Sequence, residues 1–304
     1  MKGNTGGGRR GFWGRFGWGI TFAALLTAFT AYALLDTFVI PREYAQEELS
    51  GAQDVISVTE QAGSGAEAET ESAVSNENKS ITLEEYRVDE TAVYVVRVSG
   101  GEISSAFAQG RFGRNIKAET SEIAESVGAT VAINGDFYGA RNSGYVIRNG
   151  TLYRSTPSGA EDLVVWADGS VSVINESEIS AEKLLSDGAQ QVYSFGPALL
   201  VDGEVAVTEE EEVGRAMASN PRTALGVTED GTYLLVVSDG RTSESEGLSL
   251  SQLAQFMREI GAVTAYNLDG GGSSTLYYNG EVINNPTTGG NKIKERSVSD
   301  IVYF

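Results

Sequence analysis

Residues 249 to 276 read Ser249-Leu-Ser-Gln-Leu-Ala-Gln-Phe-Met-Arg-Glu-Ile-Gly-Ala-Val-Thr-Ala-Tyr-Asn-Leu-Asp-Gly-Gly-Gly-Ser-Ser-Thr-Leu276, and a change of period inside them decides the fold. Leu250, Leu253, Ala254, Met257 and Ile260 recur at helical spacing, so Ser249 to Ile260 is read as a helix with an apolar stripe packed on a core. Ser249 and Gln252 form a capping box at its start, and Gly261 stops it. From Ala265 the pattern becomes that of a strand, which delivers Asn267 and Asp269 to one face. The strand ends in three glycines and three hydroxyl residues. Leu276 to Ile283 then reads as a hairpin about an Asn279-Gly280 turn.

Gly270, Gly271 and Gly272 permit positive φ and let backbone N–H groups approach a ligand closely, at an entropic cost that no ordinary turn requires. With Ser273, Ser274 and Thr275 adding hydroxyl donors, the loop has the makings of an anion-binding concavity. The spacing argues against a nucleotide loop. There is no Gly-Lys-Ser/Thr ending and no GxGxxG, and a strand follows where a helix would be needed.

The same junction occurs earlier in the chain. Gly128-Ala129-x-x-Ala132-x-Asn134-x-Asp136 and Gly261-Ala262-x-x-Ala265-x-Asn267-x-Asp269 share five residue types at identical spacing. The first copy also follows a helical stretch, Thr120 to Val127, with Ile123, Ala124 and Val127 on one side. This echo predicts an internal pseudo-repeat whose two Asn-x-Asp pairs meet in one cleft. Further strands are expected at Thr91 to Val98, Gly144 to Arg148, Leu163 to Trp166, Val171 to Ile174, Ala198 to Val201, Thr223 to Val227 and Tyr233 to Ser238. Asx-Gly turns at Asn149, Asp168, Asp202 and Asp230 separate several of them. The class is α+β, a large mixed, mainly antiparallel sheet with a few packed helices. Glu209 to Glu212 is expected in an exposed loop.

A chain of 304 residues can hold one large domain or two small ones. It contains no Cys and no His, which removes disulfides, thiolate chemistry, imidazole bases and the Ser-His-Asp and Cys-His triads. Acid–base work falls to carboxylates, Tyr, Lys or water. A net charge of −20 argues against nucleic acid as a partner.

At the N-terminus, residues 1–18 carry Lys2, Arg9, Arg10 and Arg15 and no acid, and a charge-free run begins at Gly19. We read a cytoplasmic basic tail, a signal anchor or transmembrane helix over 19–40, and an extracytoplasmic remainder at the bacterial cell surface. Cleavage after Ala31-Tyr32-Ala33 would make the product secreted instead. Residues 41–80 follow as a disordered acidic linker: Glu43 to Asn78 holds nine acids and no Lys or Arg, too little apolar surface to offset ordering. The folded domain is placed at 81–304.

Asn134-Gly-Asp-Phe-Tyr138, Asn220-Pro-Arg-Thr-Ala-Leu-Gly226, Ser238-Asp-Gly-Arg241, Gly247-Leu-Ser-Leu250, Asn267-Leu-Asp-Gly-Gly-Gly-Ser-Ser-Thr275 and Glu295-Arg-Ser-Val298 stand in the order of the phosphodiester glycosidase family. The resemblance spans about residues 85 to 304. It includes a mammalian branch that removes N-acetylglucosamine from mannose 6-phosphate tags, and bacterial exopolysaccharide-associated relatives. Asp136 departs from the mammalian pattern, which has a second Gly there. The resemblance implies a hydrolase that cleaves the sugar C1–O bond of a sugar-1-phosphodiester in a cell-envelope or exopolysaccharide glycan, and the N-terminal reading adds a membrane tether. The products would be free sugar and a phosphomonoester.

Because phosphate leaves as a stable anion, such a reaction asks chiefly for stabilisation of an oxocarbenium-like centre and an activated water or nucleophile. The carboxylates implied are Asp269 and Asp239, with Asp136 third. Arg222, Arg241 and Arg296 offer guanidinium forks to the phosphate. Gly270, Gly271, Gly272, Ser273 and Ser274 would hold phosphate or sugar hydroxyls, Asn134 and Asn267 would shape the site, and the Asn284-Asn285-Pro286 stretch, Asn285 above all, would contribute. No cofactor is required; the same oxygen donors have the chemistry to hold Ca²⁺ or Mg²⁺, without the spacing of an EF-hand. Two other readings stay open, a non-catalytic module binding anionic cell-wall glycopolymer and a phosphodiesterase breaking the P–O bond.

Overall fold

The computed structural model describes residues 12–44, 79–207, 219–289 and 292–304, in two compact units, Met1–Arg42 and Glu43–Phe304. The N-terminal residues 1–11, most of the acidic linker and the Glu209 to Glu212 stretch lie outside the described residues. The helix Phe12–Phe38 makes up most of the described residues of the first unit. Its Gly17–Phe38 portion is, by length and composition, apolar enough to cross a membrane. At ~1.5 Å per residue this portion spans about 33 Å, against a hydrocarbon core of ~30 Å.

The second unit is built from three main antiparallel sheets. The largest has seven strands in the order Glu204–Val205, Ala198–Val201, Ala262–Asn267, Arg222–Thr228, Tyr233–Ser238, Thr91–Ser99, Ser80–Val88. A five-stranded sheet runs Glu281–Val282, Leu276–Tyr278, Val131–Asn134, Asp300–Tyr303, Ser104–Phe107. The other, also of five, runs Val171–Asn175, Glu161–Trp166, Ala189–Tyr193, Val146–Arg148, Thr151–Arg154. The expected single large sheet is thus divided into three, and the antiparallel character holds.

The inner faces share one core. Val96, Leu225, Leu235 and Tyr266 from the large sheet meet Val131, Ile133, Leu276 and Val302 from the second and Leu163, Val165 and Tyr193 from the third. Each sheet then buries an outer face under a helix. Leu250–Glu259 covers Val93, Val95, Leu234 and Val236 with Leu253, Ala254 and Met257. Thr120–Ser126 places Ile123 and Ala124 against Ala132 and Ile301, and Ala181–Ser186 places Ala181 and Leu184 against Ile147, Leu152 and Val164. The hairpin signals fold as their residues require: Asn149 and Gly150 take φ of 51° and 70°, and Asn279 and Gly280 take 50° and 93°. Both are positive pairs that match the twist of two-residue hairpins.

Both copies of the repeated junction run helix, left-handed glycine, strand. Gly128 has φ 65° after Thr120–Ser126, and Gly261 has φ 94° after Leu250–Glu259. The two strands belong to different sheets, and their C-terminal ends converge.

Candidate active site

Antiparallel pairing brings the motifs to one edge. The strand Arg222–Thr228 runs opposite to both neighbours, so its first residues lie beside the last residues of theirs: Arg222 faces Ser238, and Ala224 faces Asn267. Asp239, Pro221 and the loop at Asp269 therefore emerge together. Asn134, at the end of its own strand, joins them from the second sheet. Its Nδ2 donates to the Asp269 carbonyl at 2.6 Å, and its Oδ1 accepts from Thr223 Oγ1 at 2.8 Å and Thr275 N at 3.3 Å. With these bonds made, Asn134 acts as the buried pin joining the two Asn-x-Asp ends.

The glycine loop lies over this pin. Gly271 donates its N–H to Pro221 O at 2.8 Å, which spends that amide on the scaffold rather than leaving it for an anion. Gly271 adopts φ 63°, and a Cβ there would come within 2.9 Å of Arg241 Nη2, so only glycine admits the guanidinium at this distance. Asn267 Oδ1, Ser274 Oγ and Thr275 Oγ1, all from the same motif, are buried without a hydrogen-bond partner. Such atoms are rare in folded proteins, and three within one motif give it unspent capacity for hydrogen bonding.

Asp269 is 8% exposed. Its Oδ2 accepts from Ser273 Oγ at 2.5 Å and from Arg296 Nη2 at 3.2 Å. Burial pushes its carboxyl above the ordinary range, while the Ser273 hydroxyl, the Arg296 guanidinium and the charge of Arg141 pull against that rise. Arg296 also donates to Gly270 O at 3.2 Å, so it ties the carboxylate to the start of the loop.

Asp239 is held from the other side. Oδ1 accepts from Asn285 N at 2.7 Å and Asn284 Nδ2 at 3.3 Å, and Oδ2 accepts from Asn285 Nδ2 at 3.1 Å. Asn284 links this carboxylate to the glycine loop, donating to Ser274 O at 3.0 Å and accepting from Leu276 N at 2.8 Å. A cleft of about 590 Å³ opens beside Asp239, with Tyr94 and Asn285 in its wall. Tyr94 is pushed up to about 12, by burial first and then by the charge of Asp239.

Arg222 and Arg241 stand close by. Arg222 Nε donates to Leu248 O at 2.9 Å, and its Cδ lies 3.9 Å from where a Gly270 Cβ would be. Arg241, with φ 62°, donates to Asn220 Oδ1 at 3.0 Å and reaches the Gly271 position. Asn267 is anchored through Nδ2 to Gly196 O at 2.8 Å.

Asp136 has a different environment. It is fully buried and faces Arg148, whose Nη2 lies 2.9 Å from its Oδ2 and 2.9 Å from Asp300 Oδ2. The backbone N–H groups of Tyr138 and Ser194 supply its other bonds, at 3.1 and 2.9 Å. This is a buried Asp–Arg–Asp ion group at the junction of two sheets, and it sets Asp136 apart from the cleft. The meeting of the two Asn-x-Asp ends is real at the backbone, but their carboxylates diverge. Among the described residues, no group of three or more His, Cys, Asp or Glu is placed to hold a metal ion, so the Ca²⁺ or Mg²⁺ expectation finds no such cluster there.

Residues 127–304, more than half of the chain, match the family model described as phosphodiester glycosidase. The chain belongs to the phosphodiester glycosidase family. A protein of the SPbeta prophage of Bacillus subtilis, YomE, is 32% identical over 197 residues, covering 62% of this chain and 30% of that one. The mouse N-acetylglucosamine-1-phosphodiester alpha-N-acetylglucosaminidase is 29% identical over 188 residues, covering 56% of this chain and 36% of the mouse protein. The chain thus spans about a third of the length of these curated relatives. The zebrafish catalytic domain of the same glycosidase, solved in a form auto-inhibited by its pro-peptide, superposes with a TM-score of 0.61 at 21% identity. That match covers 75% of this chain and 82% of the zebrafish one, and it shows a shared fold.

Within this family fold, sequence reading overlooked two neighbours of the carboxylates. Arg141 donates to Ser194 O at 3.1 Å, stacks 5.0 Å from the Phe195 ring and adds positive charge near Asp269. Tyr94 reaches Asp239 because its strand pairs with Tyr233–Ser238, with Tyr94 opposite Val237. Neither carries a local motif; only strand register and loop packing place them.

Proposed function

We propose that the chain is a membrane-tethered, extracytoplasmic hydrolase that splits the C1–O bond of a sugar-1-phosphodiester of the N-acetylglucosamine-1-phosphodiester type, within a cell-envelope or exopolysaccharide glycan. The observation that carries this reading is the arrangement at one sheet edge: Asp239 and Asp269 from flanking strands, with Arg222 and Arg241 beside the glycine loop and Arg296 on Asp269. Two carboxylates within a cationic, donor-rich rim suit a substrate that becomes more positive at the sugar carbon and more negative at the phosphate as the bond breaks.

In this reading the sugar C1–O bond breaks with its electron pair going to the phosphate oxygen. Water adds OH to C1, its proton passes through a carboxylate to solvent, and the phosphomonoester leaves. Arg241 and Arg296 face the phosphate. Membrane attachment rests on the apolar Gly17–Phe38 helix, preceded in sequence by Arg9, Arg10 and Arg15. The domain boundaries follow: basic tail 1–18, anchor 19–40, acidic linker 41–80 and hydrolase 81–304.

The test is incubation of the detergent-solubilised chain with methyl α-N-acetylglucosaminyl phosphate, beside Asp269→Asn, with both products weighed by mass spectrometry. Free N-acetylglucosamine plus methyl phosphate, lost in the variant, is expected. N-acetylglucosamine 1-phosphate would mean P–O cleavage instead. Binding of wall glycopolymer without turnover would leave a tethered binding module.

A further inference from the structure

The candidate site has two ends of opposite chemistry, and we propose that they sort the two halves of the substrate: the glycosyl group enters the cleft beside Asp239, the phosphate lies on the arginine side by Asp269, and the cleft admits uncharged or cationic sugars while rejecting uronic acids. This rests on the phosphodiester glycosidase reading above and adds orientation and sugar class to it.

At about 590 Å³ the cleft is in the range of small-molecule sites. Its wall holds an aromatic phenol, Tyr94, the exposed amide of Asn285 and the hydroxyl of Ser243, groups that bond and pack against hydroxyl-rich rings. Three carboxylates line it, Asp239, Glu85 and Glu244, against one cation, Arg87. That cation is engaged on the rim: Arg87 Nη2 donates to Glu90 O at 2.7 Å and Glu244 O at 2.9 Å and lies 3.7 Å from the Glu90 carboxylate. An anionic group entering here meets net negative charge. The other end is reversed, with Arg241 at Gly271, Arg296 on Asp269 and Arg141 acting electrostatically on Asp269. A substrate with a neutral sugar and an anionic linkage fits this polarity in one direction only.

Backbone geometry supports the same orientation. Asp239 and Asp269 leave strands on either side of Arg222–Thr228, so their backbones stand two strand spacings apart, about 10 Å. This gap leaves room for a sugar carbon and its phosphate between the two ends.

Binding to the full chain carrying Asp269→Asn, which removes turnover from the measurement, tests the assignment by calorimetry at low salt. The probes are methyl α-N-acetylglucosaminyl phosphate, methyl α-glucuronosyl phosphate and methyl phosphate. We expect the N-acetylglucosaminyl diester to bind about tenfold more tightly than the glucuronosyl one, with the gap narrowing when Glu85→Gln and Glu244→Gln are added. Tyr94→Ala is expected to weaken the N-acetylglucosaminyl diester about tenfold and leave methyl phosphate unchanged, whereas Arg241→Gln weakens both. Equal affinity for the two diesters, or an equal loss for diester and methyl phosphate in Tyr94→Ala, overturns the assignment. If the wild type still releases free sugar, that result sinks the orientation alone and leaves the proposed activity standing.

Discussion

Asp162 offers a measurement in which burial sets most of the magnitude. It lies in the strand Glu161–Trp166 with no exposure, and neither carboxyl oxygen accepts a hydrogen bond. Burial first, then the negative charge of Glu176, pushes it up to about 9. Glu176 moves the other way. Burial would raise it, but the Ser158 hydroxyl and the N–H groups of Tyr145 and Ser158 hold it low. Asp162 is therefore the neutral member of the pair and Glu176 the ionised one. In the unfolded chain an aspartate ionises near 3.9, so between about pH 4 and 9 the folded protein binds a proton that the unfolded chain does not. This group's contribution is fully present below about pH 4 and is lost as pH rises through about 9. At pH 7 the three-unit gap, at about 1.36 kcal/mol per unit, costs about 4 kcal/mol against a neutral isostere. Asp162→Asn supplies that isostere. We expect urea unfolding of the full chain in detergent to show the variant more stable by up to about 4 kcal/mol at pH 7, the gap widening from pH 5 to 8 and closing near pH 4. A gap that stays constant with pH, or a variant less stable at pH 8, would refute the argument that an uncharged Asp162 is what the fold contains.

Arg148→Ala strips the partner from Asp136 and Asp300 and should cost about 3–5 kcal/mol at pH 8 in the same assay. The loss should shrink at pH 5, because burial pushes Asp300 up to about 7 and its proton then removes one of the stranded charges. Gly135→Ala should cost about 1–3 kcal/mol, read as a lower melting temperature, since a Cβ there would lie 2.2 Å from Asp300 Oδ1 in a packed core. Arg296→Gln removes a charge that lowers Asp269, so the limb of the pH–rate profile that reports Asp269 should move to higher pH. An unmoved profile would mean that Asp269 does not govern it.

Where local signals were dense, the sequence was enough. The helix Leu250–Glu259 forms with the Ser249 and Gln252 bonds that its capping box implies, and the Asn-Gly turns take the positive φ that their residues favour. The sequence singles out Asp239 and Asp269 because each follows an apolar strand and stands beside glycine. The helix Ala181–Ser186 is too short to display a period. The strand Asp300–Tyr303 pairs with two strands, yet its few residues at the chain's end carry no turn signal. Tyr94 and Arg141 depend on register and loop packing, which no local pattern encodes.

Asp136 shows most clearly where reading by motif stops. Its junction matches that of Asp269 residue for residue at five positions, and the two backbones meet through Asn134. What separates the carboxylates comes from far along the chain. Arg148 arrives from a hairpin in the third sheet and Asp300 from the C-terminal strand, and together they enclose Asp136 in a buried ion group. Asp269 instead meets Arg296, which is 43% exposed on its side chain, and keeps an opening toward solvent. A charge enclosed and ion-paired in the core holds structure, because removing its partner leaves an uncompensated ion there. A carboxylate that burial raises while a half-exposed guanidinium restrains it stays responsive to whatever displaces that guanidinium. The repeated junction therefore supplies the same backbone twice, and the nonlocal cation decides which copy is enclosed and which keeps an opening to solvent.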